Sequence, residues 1–226
     1  MSMAVEKYII VVAGGRGTRM GGDVPKQFLP LAGKTVLMHT LDRMACAESE
    51  AKLILALPHD QQEEWQRLCQ EYNYTRSHTV VDGGETRFHT VTNALALVPE
   101  GALVAIHDGV RPLVSIGVVR SAFDMACRCG AAIPVMPVVE SLRRVEGDNS
   151  CAVERSAYRA VQTPQVFDST RIKAAYSVPY RPEFTDDASV YEAAGYRVTL
   201  IEGNRENIKI TIPQDIALAE IILQQQ

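Results

Sequence analysis

The chain has 226 residues, 46% of them apolar, and a formal net charge of -4. That length and apolar content suit a single domain with a sizeable core. The acidic balance argues against bulk attraction to nucleic acid, the aromatic content of 6% lacks basic interleaving, and no run of 18 apolar residues predicts a membrane span.

The opening stretch MSMAVEKYIIVVAGG has too short an apolar run before its glycines for a signal peptide. Cys46, Cys69, Cys127, Cys129 and Cys151 are odd in number and loosely spaced, which predicts free thiols and fits a reducing cytoplasm. Cys127 and Cys129 form C-x-C, but no second pair stands at ligand spacing, so they read as ordinary thiols on a helix.

Tyr8–Val12 reads as the first strand. Thr35–Ala45 places Val36, Leu37, Thr40, Leu41 and Met44 at helical spacing. Lys52–Leu57 is a second strand, Gln61–Glu71 a polar helix carrying Trp65 and Leu68, and Thr79–Val81 a short strand. Thr86–Leu97 is helical, Ala102–His107 a strand running into HDGVRP, Val114–Cys129 a long helix and Ala131–Val135 a strand. Alternation of this kind predicts a mostly parallel twisted sheet with helices on both faces, a three-layer α/β fold. Ligands of such sheets sit at the carboxyl ends of the strands.

The rhythm breaks between Val138 and Gln165, where two extended segments flank the turn EGDN. The stretch is too long for an ordinary connection, and an isolated hairpin is marginal in water. Residues 138–162 are therefore expected to form a projecting β-arm that packs on a second subunit. The pattern resumes with Asp186–Ala194 as helix and Arg197–Glu202 as strand; IKITIPQDIALAEII then reads as strand, turn and closing helix.

VVAGGRGTRMGGDVPKQF directly follows the first strand. Gly14, Gly15 and Gly17 allow backbone amides to approach an anion, and Arg16, Arg19 and Lys26 supply fixed charge. The stretch matches neither G-x-G-x-x-G, because position 20 is Met, nor the ATPase loop G-x-x-x-x-G-K-[ST]. A phosphate-binding loop remains the best reading of its charge and position; the bland alternative is an exposed linker.

Five stretches together resemble the sugar-phosphate nucleotidyltransferases, and most closely the 2-C-methyl-D-erythritol 4-phosphate cytidylyltransferases: AGGRGTRMGGDVPKQFLPLAGKTVLMHTL, VDGGETRFHTV, AIHDGVRP, ERSAYRAVQTPQVF and FTDDASVYEAAGYRVTLIEGNRENIKIT. The resemblance runs from about Tyr8 to Ile222 and implies a Rossmann-like nucleotidyltransferase fold. It also implies transfer of CMP from CTP to a sugar-alcohol phosphate with Mg²⁺, in a homodimer. By that resemblance Arg19 and Lys26 clamp the phosphates and Asp108 holds the metal, with Lys209 beside the reacting groups. Ala13, Gly14, Gly15, Gly17, Gly84, Glu85, Arg87 and Thr90 surround the nucleotide; Arg155, Thr185 and Lys209 meet the acceptor phosphate, Arg155 from the other subunit. The bland reading of Lys209 is a sheet-edge lysine that opposes aggregation. Arg111 either orients Asp108 or contacts phosphate. His107 has no partner at ligand spacing and reads as structural. No protein nucleophile is needed, because phosphoryl-type transfer is catalysed mainly by positioning and charge.

One departure stands out: where family members often carry a D-T-x-K-like run, this chain has Glu140, Ser141 and Arg143. Two rival readings stay open. Pentitol-phosphate cytidylyltransferases share the first-half motifs, while TDDASVYEAAGY and IEGNRENIK in the second half favour methylerythritol phosphate. A non-catalytic nucleotide-binding domain would be free to lose several of Arg19, Lys26, Asp108, Arg155 and Lys209, and all are present.

Overall fold

In the computed structural model, residues 5–14 and 24–225 are described. β1 (Lys7–Val12) is a near-continuous apolar run buried from Tyr8 onward, as expected of a strand covered on both faces. After β2 (Pro30–Leu31) and β3 (Lys34–Thr35), α1 (Val36–Ala47) starts where the Thr35 hydroxyl accepts from Met38 N–H. β4 (Lys52–Leu57), α2 (Gln62–Glu71), β5 (Thr79–Asp82), α3 (Arg87–Leu95) and β6 (Leu103–Asp108) follow. α4 (Ile116–Cys129) is capped by Ser115 and ends at Gly130, whose φ of 87° suits glycine.

β4, β1 and β6 lie side by side in parallel, with β5 outside β4. β7 (Ala131–Pro137), β8 (Arg143–Glu146), β9 (Asn149–Ala152), β10 (Arg159–Val161), β11 (Gln165–Asp168), α5 (Ser169–Ala175), α6 (Asp187–Ala193), β12 (Thr199–Glu202) and α7 (Pro213–Leu223) complete the chain. β11 lies antiparallel between β6 and β7, and β12 lies parallel to β7. Ala132 of β7 pairs with both Val166 and Thr199, and Val135 with both Val161 and Glu202. β10 and β11 therefore share one edge of β7 and β12 takes the other. The sheet is mixed, with a parallel half around β1.

Alternate residues of β1 enter different cores. Ile9 and Val11 pack with Leu37, Leu41, Trp65 and Phe123 under α1, α2 and α4. Tyr8, Ile10 and Val12 pack with Phe88, Val91, Ile172 and Tyr191 under α3, α5 and α6. The period of two along the strand thus separates two helix layers, giving the three-layer Rossmann-like architecture.

Two features depart from the expectations. β10 and β11 join the main sheet and α5 follows them, although this stretch lacks a clear pattern in the sequence. Arg159–Val161, inside the segment read as arm, is thus a sheet strand. Ile208–Thr211, expected as a strand, has no ladder pairing, and Lys209 lies within it and not on a sheet edge. The hairpin itself forms: β8 and β9 pair across a two-residue turn at Gly147–Asp148, where Gly147 has a φ of 58°, and all their residues are exposed.

Candidate active site

The parallel register aligns strand ends. Val12 pairs with Asp108 and with Ala56, and Leu57 pairs with Asp82. Ala13, Gly83 and Gly109 therefore leave the sheet at one rim. A cleft of about 220 Å³ opens there, lined by Ala13, Gly14, Lys26, Gln27, Gly84, Glu85, Thr86, Arg87, Thr90, Asp108 and Lys209, with Val12 and Val110.

One wall is backbone. A Cβ on Gly84 would stand 2.3 Å from the Cβ of His89, so no larger residue fits this turn. Gly84 N–H donates to the Thr90 hydroxyl at 3.0 Å, and that hydroxyl donates to the Thr86 carbonyl at 3.0 Å. Thr90 shapes the turn as well as lining the cleft. Opposite, Gly109 approaches β1 so closely that a Cβ would meet the Ala13 Cβ at 2.9 Å.

Lys26 begins a 3-10 turn, Lys26–Phe28, after Pro25. The next two side chains anchor it. Gln27 is fully buried and donates to the Ala13 carbonyl at 2.8 Å and to Gln61 Oε1 at 2.6 Å. Phe28 stacks on Trp65 with ring centroids 6.2 Å apart. The half-buried Lys26 is left at the cleft wall.

Asp108 is the electrostatic centre, with its side chain 11% exposed. Oδ2 meets Lys209 Nζ at 3.0 Å and Arg111 Nε at 3.2 Å; Arg87 Nε stands 3.7 Å from Oδ1. Burial alone would raise its pKa, but the charges of Arg87, Lys209 and Arg111 together outweigh that and hold the carboxyl far below its ordinary value. Asp108 stays ionised at any working pH. Arg111 also donates through Nη1 to the Asn207 carbonyl at 2.8 Å, so it orients Asp108 and ties the Lys209 segment to β6.

His107 is buried on the other side of the strand. Its Nε2–H donates to the Arg111 carbonyl at 3.0 Å and its Nδ1 accepts from the Thr163 hydroxyl at 2.9 Å, which in turn accepts from Asp108 N–H at 3.1 Å. Burial pushes the imidazole down from 6.5 to about 4, so it is neutral and structural. Below the ordinary value the unfolded chain takes up a proton that the folded one refuses. Stability should then fall by roughly 1.4 kcal/mol per pH unit through that window. His107→Gln is expected to flatten the decline in urea-unfolding free energy between about pH 6.5 and pH 5. An unchanged slope would remove His107 as its source.

A lysine turn, a glycine-walled slot and a carboxylate held among cations at parallel strand ends are the parts the family resemblance requires. Residues 7–225 match the family of 2-C-methyl-D-erythritol 4-phosphate cytidylyltransferases. The chain belongs to this family. It is 51% identical over 219 residues to the 2-C-methyl-D-erythritol 4-phosphate cytidylyltransferase of Bacteroides thetaiotaomicron, covering 97% of this chain and 100% of that one. The Porphyromonas gingivalis protein of the same name is 52% identical over 222 residues, covering 98% of this chain and 99% of the relative. The crystal structure of the Thermus thermophilus protein of that name superposes with a TM-score of 0.76 at 32% identity, covering 97% and 99% of the two chains.

Of the family's expected positions, Ala13, Gly14, Lys26, Gly84, Glu85, Arg87, Thr90, Asp108 and Lys209 come together in the cleft. Gly15, Arg16, Gly17 and Arg19 lie outside the described residues. Arg155 does not reach the cleft of its own chain. It sits in a 3-10 turn at the arm's base, donates to the Val139 carbonyl and lines a separate groove of about 500 Å³ with Glu154 and Arg159. Thr185 is exposed, just before the Asp186 cap of α6, and is not part of the cleft lining. Arg87 lines the cleft, yet both its Nη atoms are bound to Asp187, so the guanidinium does not offer its fork to a base.

Sequence reasoning missed Gln27, Thr163 and Asp187, which bind the lining residues Ala13, Asp108 and Arg87, and Asn207, which binds Arg111. The buried amide of Gln27 beside Lys26, inside PKQF, was a usable signal. Nothing in the spacing pairs Arg87 with a carboxylate a hundred positions later.

Proposed function

We propose that this chain transfers CMP from CTP to 2-C-methyl-D-erythritol 4-phosphate, giving 4-(cytidine 5'-diphospho)-2-C-methyl-D-erythritol and pyrophosphate, in non-mevalonate isoprenoid precursor synthesis. The observation that carries this reading is the convergence of Lys26, Lys209 and Asp108 with the Gly84 turn in one cleft, in a chain of this family. An acceptor phosphate oxygen forms a bond to the α-phosphorus of CTP. The bond from that phosphorus to the β-bridging oxygen breaks, and its electron pair leaves with pyrophosphate. Lys26 neutralises charge building at the reacting phosphorus, and Arg19 holds the leaving group. The backbone at Gly84 and Glu85 accepts the base, whose polar edge selects cytosine because a wrong partner leaves buried groups unpaired. Asp108 and Lys209 place the acceptor.

The donor set fits magnesium brought in with the triphosphate. Among the described residues no cluster of three or more His, Cys, Asp or Glu could cage a metal by itself. Asp108 supplies one carboxylate, and Mg²⁺ is commonly held by one or two carboxylates plus substrate phosphates. When bound, the ion would draw charge from the phosphate oxygens.

The working unit in this reading is a homodimer joined through the arm, with Arg155 of one subunit completing the other's site. The exposure of β8 and β9, and of Val139, Val145 and Tyr158 around them, supports it. No helix among the described residues is long and apolar enough to cross a membrane, and small charged substrates suit work in the cytoplasm.

Turnover measured side by side with methylerythritol phosphate and ribitol 5-phosphate, at matched concentrations, tests the acceptor. Faster formation of CDP-ribitol would overturn it, and absence of pyrophosphate release with either acceptor would leave the non-catalytic reading. A second experiment tests the shared site. Equal mixing of Lys26→Ala and Arg155→Ala subunits should restore roughly a quarter of wild-type turnover, since half the dimers would carry one intact site. No recovery despite demonstrated exchange would rule out the crossing of Arg155.

A further inference from the structure

The two oxygens of Asp108 are not equivalent. Oδ2 carries Lys209 and Arg111, whereas among the described residues Oδ1 receives no hydrogen bond. Arg87 Nε stands 3.7 Å from Oδ1, beyond hydrogen-bond length and well within reach of it. An arginine so close to a carboxylate would ordinarily close the gap. Here the rest of the guanidinium is held back. Nη1 donates to Asp187 Oδ1 at 2.7 Å and Nη2 to Asp187 Oδ2 at 2.6 Å, a two-point grip that fixes the plane of the group.

Asp187 is itself immobilised. Its side chain is fully buried, it accepts from the Tyr176 hydroxyl at 2.6 Å, and it stands in the first turn of α6, where Asp186 and Ser189 form a capping box. Gln165 of β11 then fastens that turn from both sides: its Nε2 donates to Asp186 Oδ2 at 2.7 Å and its Oε1 accepts from Ala188 N–H at 2.8 Å. This is more anchoring than one ion pair needs for cohesion. It sets where α6 begins, and hence where Arg87 stops.

We infer that Asp187 is a positioning residue that restrains Arg87 from closing on Asp108, keeping Asp108 Oδ1 available to the bound substrates. The inference rests on the cytidylyltransferase reading of the cleft. Arg87 contributes its charge beside Asp108 without consuming the oxygen the cleft needs. Asp187 touches no substrate and acts through Arg87. The same grip joins the start of α3, on the nucleotide side, to the start of α6, next to Thr185.

Asp187→Asn removes the charge and leaves the shape. Released from it, Arg87 should close on Asp108. Turnover per folded subunit should fall at least about tenfold while KM for CTP stays within about twofold, because the Gly84 turn and the Thr90 hydroxyl that shape the nucleotide slot make no contact with Asp187. In a crystal structure of the variant the 3.7 Å separation should contract to hydrogen-bond length. Adding Arg87→Gln should raise kcat several-fold above the single variant, since no arginine is left to occupy Oδ1. If Asp187→Asn does not fold, Tyr176→Phe, which removes one restraint on Asp187, should lower kcat a few-fold without moving KM for CTP. Wild-type turnover in the same assay keeps the test separate from that of the reaction itself. Unchanged kcat in the variant that folds overturns the inference. So does an Arg87 that stays in place, or a double variant no better than the single one.

Discussion

Lys26→Ala should lower turnover by roughly 10²- to 10³-fold, the scale of losing one charge-stabilising donor in a transition state. The fold should survive. The turn is held by Gln27 on the Ala13 carbonyl and on Gln61, and by Phe28 on Trp65. The unfolding midpoint should therefore stay near that of the wild type while kcat collapses. A Lys26→Ala protein with turnover within about threefold of wild type would remove the lysine from the chemistry. Loss of stability in step with activity would instead make it a structural residue.

Asp108→Asn is expected to have the second large effect, on activity and stability together. The side chain is 11% exposed and faces three cations, at 3.0, 3.2 and 3.7 Å. An amide of the same shape leaves Lys209 and Arg111 with one another and no counter-charge. Removing one partner from a buried ionic group commonly costs roughly 3–5 kcal/mol. Turnover should fall by about 10²-fold or more as Lys209 loses its anchor. Urea unfolding and steady-state kinetics on one preparation would check both. A variant as stable as the wild type would mean that Arg87 and Arg111 are satisfied elsewhere, by Asp187 and the Asn207 carbonyl alone.

How far the sequence discloses this molecule depends on the range of the interactions. β1, β4 and β6 are apolar runs of strand length, and α1, α3 and α4 carry their own periodicity and caps, so these elements were legible. Their register brings Ala13, Gly84 and Asp108 to one rim, which parallel strand ends imply in general. β10, β11 and α5 were not legible, because their pairing with β6 and β7 is decided by partners distant in the chain. The reverse failure occurs at Ile208–Thr211. Its alternation looks like a strand, but the segment spends its polar groups on single bonds, Ile210 N–H to the Val110 carbonyl and Thr211 N–H to Asp215. Within the site, the cations were found because the family motif carries them. The groups that aim them, Gln27, Asn207 and Asp187, act through contacts that no local pattern encodes.

The Phe28–Trp65 stack gives the molecule a built-in optical probe. Trp65 is the chain's one tryptophan, it is 1% exposed, and its ring lies against a residue two positions from Lys26. Its indole N–H donates to His78 Nε2 at 3.0 Å, so its other surroundings are fixed by the loop before β5. Any shift of the lysine turn as substrates enter must alter the packing of Phe28 on that indole. Intrinsic fluorescence at a single site would then follow the turn in real time, in unlabelled protein.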